Sequence, residues 1–67
     1  MEAFKDRLKD LREEKELSQS KLAILLDIGQ GNVSRWENGT QEPTASNIIK
    51  LSRFFGVTTD YLLGEEN

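Results

Sequence analysis

The stretch Gln19-Ser20-Lys21-Leu22-Ala23-Ile24-Leu25-Leu26-Asp27-Ile28-Gly29-Gln30-Gly31-Asn32-Val33-Ser34-Arg35-Trp36-Glu37-Asn38-Gly39 decides the fold of this 67-residue chain. Ser18, just before it, reads as an N-cap, because its hydroxyl can accept from the unpaired amides of a first helical turn. Lys21 stands where a glutamate would complete a capping box, so only half of that motif is present. Leu22, Ala23 and Leu26 share one side of a short helix. Asp27 ends it at a tight turn that favours positive φ, for which glycine is best and aspartate acceptable. A further helix opens near Gly29 or Gln30 and stops at Gly39, a C′ residue, with Pro43 beyond to prevent continuation. Val33 and Trp36 lie three apart on its inner side. Helices joined by so short a turn cross steeply and need a small residue where they touch. Ala23 supplies it, and Leu22, Leu26, Ile28, Val33 and Trp36 fill the wedge. The second helix of the pair therefore stands out from the body.

The flanks extend the same pattern. A first helix is expected from Glu2 to Glu16, with Phe4, Leu8 and Leu11 at i, i+4, i+7 as one buried stripe. Thr44 follows Pro43 as an N-cap, and Ile48, Leu51 and Phe55 repeat at i, i+3, i+7 before Gly56 stops that helix. Thr58 caps a last short helix carrying Tyr61, Leu62 and Leu63, which Gly64 ends. No segment alternates with period two, so the expectation is all-α, with five helices. Residues 1–64 read as one domain and 65–67 as an acidic tail or the start of a linker.

Composition removes most other classes. The chain has no cysteine and no histidine. Disulfides, a Cys/His zinc site and the usual base–nucleophile pairs of enzymes cannot be built from it. No catalytic residue, metal ligand or cofactor is expected. Glu13, Glu14 and Glu16 read as a solvated helix end rather than a paired-carboxylate site. Gly29-Gln30-Gly31 is too short for a phosphate-cradling loop. The longest apolar run, Leu22 to Leu26, falls far below the roughly 20 residues of a membrane span. The formal net charge is −3. Residues 18–41 are neutral overall and neither flank is basic, so electrostatic affinity for a polyanion is expected to be moderate.

A short helix, a turn of about three residues and a second helix form the helix-turn-helix arrangement, whose second helix can enter a DNA major groove. At this point the sequence resembles the phage repressor and Cro-type helix-turn-helix domains. The matching residues are Ser18-Gln19, Leu22-Ala23, Ile28, Val33 through Gly39, Pro43, Leu51, Gly56-Val57 and Leu62-Leu63-Gly64. The run Ser34 to Gly39, at that distance after Gln19 and before Pro43, is the specific part. The resemblance implies a five-helix, lambda-repressor-like bundle and a double-stranded DNA operator as partner. It also implies a bacterial or phage-encoded, cytoplasmic repressor or autoregulator associated with the nucleoid.

Residue by residue, the resemblance places Gln19 on a phosphate, where helix first-turn amides reinforce the contact. Gln30 would reach base edges, since an amide can pair bidentately with adenine. Arg35 would meet guanine or a phosphate, with Asn32 and Ser34 flanking, and Asn38 with the amides near Gly39 would clamp a second phosphate. Arg12 would pair with Glu37 below the DNA surface, positioning the recognition helix together with Ala23, Val33 and Trp36. On that reading Arg12→Met is expected to weaken DNA binding more than folding. The family further implies a homodimer through the last helix, Tyr61, Leu62 and Leu63.

Four departures stand out. Asp27 replaces the usual turn glycine. Gly29 and Gly31 bracket Gln30, making readout sparse, although Gly31 could let the backbone approach the bases. Thr40-Gln41-Glu42 replaces a basic loop, so a phosphate contact is expected to be missing. Ile24 and Leu25 occupy a normally charged face, leaving one of them exposed either as ordinary surface or as a protein-contact patch. The alternative function is accordingly a module acting mainly through protein contact, an antitoxin or an antagonist of a regulator.

Overall fold

The computed structural model describes residues 2–66. Five helices follow in order: α1 (Glu2–Glu14), α2 (Gln19–Leu26), α3 (Gln30–Asn38), α4 (Ala45–Phe55) and α5 (Thr59–Leu63). Among the described residues there is no strand. No helix is long and apolar enough to cross a membrane.

The helices start where hydroxyls can cap them. Ser18 accepts from the Lys21 amide, Thr44 from Asn47 and Thr58 from Tyr61, each satisfying one donor that a helix start leaves unpaired. α3 differs: Gly29 precedes it with no side-chain cap. The helices also end alike, with a left-handed residue after the last turn. Glycine fills that role at Gly39, Gly56 and Gly64, whereas Glu16 and Asp27 adopt it at φ 56 each.

The first of these endings corrects the sequence expectation, since α1 stops at Glu14 rather than Glu16. The Glu16 amide donates to the Glu13 carbonyl at 2.9 Å and the Leu17 amide to Arg12 at 3.2 Å. This pair of bonds is the Schellman closure, which needs a left-handed residue between them. Partial burial of Leu17 against the core compensates for placing a glutamate there. At Asp27 the Ile28 amide reaches the Ala23 carbonyl at 3.0 Å, and Ile28 likewise turns inward onto the core.

One core joins all five helices: Phe4 and Leu8 from α1, Leu22, Ala23 and Leu26 from α2, Val33 and Trp36 from α3, Ile48 and Leu51 from α4, and Leu62 from α5. Ala23 and Val33 are fully buried where α2 crosses α3. The Phe4 and Trp36 rings meet edge to face, 6.4 Å between centroids, a favoured aromatic geometry. Lys50 on α4 donates to the Leu26 carbonyl at 3.4 Å, satisfying an acceptor at the end of α2. Arg7 stacks over Tyr61 at 4.3 Å and donates to the Tyr61 carbonyl, tying α5 back to α1.

Two surface expectations change. Leu62 is fully buried, so it belongs to the core and cannot be a dimer contact while the domain is folded. Both Ile24 and Leu25 are exposed, at 60% and 48%, not one of the two.

Candidate nucleic-acid interface

The side of α3 opposite Val33 and Trp36 carries the polar residues singled out in the sequence. Gln30, Ser34 and Asn38 recur at i, i+4, i+8, and Gly31 and Arg35 at i, i+4, so they form two adjacent rows along one face. Gln30, Gly31, Arg35 and Asn38 are exposed, while Asn32 and Ser34 are half-buried at its edges. Because α3 is anchored only by its inner side, this outward face is free of the rest of the bundle.

Beneath that face lies an ion pair joining α1 to α3. Arg12 Nε donates to Glu37 Oε2 at 2.7 Å and Nη2 to Oε1 at 2.9 Å, a bidentate geometry that fixes both side chains. Arg12 Nη1 reaches the Leu17 carbonyl at 2.7 Å. The two side chains are only 11% and 5% exposed. The hydrogen bond to Glu37 raises the Arg12 pKa above its ordinary value, against the opposing effect of burial. Gln19 joins the same carboxylate, its Nε2 donating to Glu37 Oε1 at 3.1 Å. One carboxylate thus sets the relative placement of three helices.

Above this pair is a polar concavity of about 200 Å³ lined by Lys9, Arg12, Gln19, Ser34, Glu37 and Asn38. It brings together Gln19, Ser34 and Asn38 from two helices and adds Lys9 from α1, a residue the sequence did not single out. At its rim the Asn38 Oδ1 accepts from the Thr40 amide at 3.0 Å and the Thr40 hydroxyl at 2.7 Å. Its carbonyl oxygen is thereby used to shape the turn after α3.

Gln30 has no such local partner among the described hydrogen bonds, whereas Arg35 has two. Arg35 Nε donates to Gln41 Oε1 at 2.6 Å and Nη2 to Asn32 Oδ1 at 3.1 Å, and Gln41 Nε2 donates to the same Asn32 oxygen at 3.2 Å. Gln41 was unmarked by the sequence except as part of a non-basic loop. Among the described residues no group of His, Cys, Asp and Glu could hold a metal ion.

An all-α domain with a projecting, polar-faced third helix locked over an Arg–Glu pair defines the helix-turn-helix class. A Helix-turn-helix family profile matches residues 8–62, and the chain belongs to that family, in its phage repressor and Cro-type branch. It is 38% identical over 60 residues to the HTH-type transcriptional regulator ImmR of Bacillus subtilis, covering 90% of this chain and 47% of ImmR. It is 32% identical over 62 residues to the cryptic phage CTXphi transcriptional repressor RstR of Vibrio cholerae, covering 92% of this chain and 56% of RstR. The chain thus spans about half the length of these curated relatives. Its fold is similar to the crystal structure of the restriction-modification controller protein C.AhdI from Aeromonas hydrophila. The TM-score is 0.80 at 33% identity, over 90% of this chain and 91% of that one.

Proposed function

We propose that this domain binds a double-stranded DNA operator sequence-specifically and acts as a transcriptional repressor or autoregulator. The observation that carries the reading is the outward face of α3, where Gln30, Ser34, Arg35 and Asn38 lie side by side on a helix held rigidly from behind. The family membership and the regulatory roles of the relatives support it.

In this reading α3 enters the major groove by its N-terminal half. Gln30 contacts base edges and Arg35 a guanine, with Asn32 and Ser34 bordering the contact. Phosphates occupy the concavity between Lys9, Gln19 and Asn38 and fix the register without reading sequence. Lys9 supplies the cation that the Thr40-Gln41-Glu42 loop lacks. Two domains bind together as a homodimer, their recognition helices about 34 Å apart over a palindromic site. With Leu62 buried, the dimer contact rests on Leu63 and the apolar groove of about 410 Å³ that it lines with Ile49, Ile48, Pro43, Ala45 and Thr59. The domain works in the cytoplasm, where its operator lies.

Binding sites selected from a random duplex pool, then titrated at several salt concentrations, test the reading. We expect one enriched palindrome and a log–log salt slope of about −0.9 per phosphate contact. Lys9→Ala is expected to make that slope shallower by about one, equally on all sequences. Gln30→Ala should instead erase preference at one or two base pairs. Absence of binding at low salt would reject DNA as the partner. The exposure of both Ile24 and Leu25 would then favour the second reading, a module acting through protein contact.

A further inference from the structure

Arg35 is not a freely waving side chain, and its arrangement assigns work to two residues outside the contacts described above. A guanidinium has two hydrogen-bonding edges: a side edge formed by Nε and one Nη, and an end edge formed by the two Nη groups. Gln41 Oε1 and Asn32 Oδ1 accept from Nε and Nη2, and so take the side edge. The Gln41 amide group bonds onward to Asn32, closing a three-residue ring. Gln41 is itself held by its backbone, whose amide donates to the Arg35 carbonyl at 3.3 Å. The acceptor is therefore fixed to the helix it serves.

Gly31 completes the arrangement. Helical side chains lean toward the N-terminus over the residue four positions earlier, and for Arg35 that residue is Gly31. A Cβ built on Gly31 would collide with Arg35 Nη1 and lie 3.2 Å from Cζ. The guanidinium thus occupies the space that a side chain at position 31 would fill. Nη1, one half of the end edge and free of the Gln41 and Asn32 bonds, thus lies over the second residue of α3, in the half of a recognition helix that meets base edges. That edge matches the O6 and N7 acceptors of guanine.

Resting on the DNA-binding reading, we propose that Gln41 and Gly31 are positioning residues for sequence readout, holding the Arg35 end edge over the position-31 gap for one guanine. The recognition surface has then exchanged a short reader at position 31 for the longer, braced Arg35, beside Gln30. This accounts for a helix whose second residue is glycine despite the roughly 1 kcal/mol that glycine costs within a helix.

The test starts from a selected operator and compares it with duplexes carrying 7-deazaguanine at each guanine in turn. Wild-type protein, Gln41→Ala, Gly31→Ala, Arg35→Ala and the Arg35→Ala/Gln41→Ala double variant are titrated on each. We expect Gln41→Ala and Gly31→Ala to lose about tenfold on the operator, with non-specific affinity within about twofold. The loss should disappear on the duplex modified at the guanine whose substitution also abolishes the Arg35→Ala effect, and the double variant should bind no worse than Arg35→Ala. Gly31→Ala should melt higher than wild type, separating its binding defect from unfolding. In DNA-free protein, the Arg35 Nε–H resonance should move to the position of a solvated arginine in Gln41→Ala. Equal losses on all duplexes, additive losses with Arg35→Ala, or an unmoved resonance would overturn the proposal while leaving DNA binding standing. If the wild-type protein selects no site at all, the DNA reading fails first and the proposal with it.

Discussion

Arg12 carries the most consequence of any single residue, because its guanidinium closes two different gaps at once. It neutralises Glu37 and satisfies the carbonyl of Leu17, so one side chain holds both the C-terminal end of α3 and the turn after α1. This changes the expectation for Arg12→Met. Removing one partner of a buried pair leaves the other charge uncompensated, at a cost of about 3 kcal/mol. In a domain this small, each 1 kcal/mol shifts the melting temperature by about 4–8 °C. Arg12→Met should therefore melt more than 10 °C below wild type, and Arg12→Met with Glu37→Leu should recover most of that loss. Thermal melts followed by circular dichroism decide it, and a single variant within about 2 °C of wild type would contradict the account. The pairing itself was legible only through the family resemblance, since residues 25 apart on two helices show no local pattern. The Arg35–Asn32–Gln41 ring was not legible at all. It depends on how a loop folds back across an exposed helix, and neither polarity nor spacing encodes that return.

The helices were readable where backbone chemistry leaves a mark in side-chain type. Ser18, Thr44 and Thr58 accept from the first-turn amides as expected of caps, and Gly39, Gly56 and Gly64 mark three ends by their positive φ. The end of α1 was misplaced for the complementary reason. Glutamate at a left-handed position carries no signal, and the turn is held by contacts beyond it, the partial burial of Leu17 and the bond from Arg12 to the Leu17 carbonyl. The five-residue α5 was harder still, because Tyr61, Leu62 and Leu63 are consecutive and nothing local says which of them turns inward. Asp27 offers a test of the turn between α2 and α3. A non-glycine residue at φ 56 is strained by about 1 kcal/mol or more, partly offset in glycine by the extra freedom of its unfolded chain. Asp27→Gly should raise stability by roughly 0.5 kcal/mol, or a few degrees of melting temperature. A drop instead would mean that the aspartate side chain contributes something to the turn beyond its backbone conformation.

At the scale of the whole molecule, the proposed function draws on two separate surfaces of one small core. Polar readers project from α3, while Ile49, 44% exposed, and Leu63 border an apolar groove on α4 and α5. With a net charge of −3, a lone domain has weak electrostatic hold on DNA, and pairing two of them multiplies that hold through effective concentration. Ile49→Glu should therefore leave the melting curve close to wild type while abolishing the dimer in sedimentation. Full-operator affinity should fall at least tenfold toward that of a half-site. A dimer that survives the substitution would place its contact elsewhere.

The uncapped start of α3 has a thermodynamic consequence. The starts of α2, α4 and α5 each tie down an amide with a hydroxyl, whereas Gly29 supplies none and a glycine at position 31 weakens the turn that follows. On the proposed reading, the first-turn amides of α3, lacking a hydroxyl partner, should exchange with solvent faster than those of α2, α4 and α5 in the free domain, and slow when operator covers them.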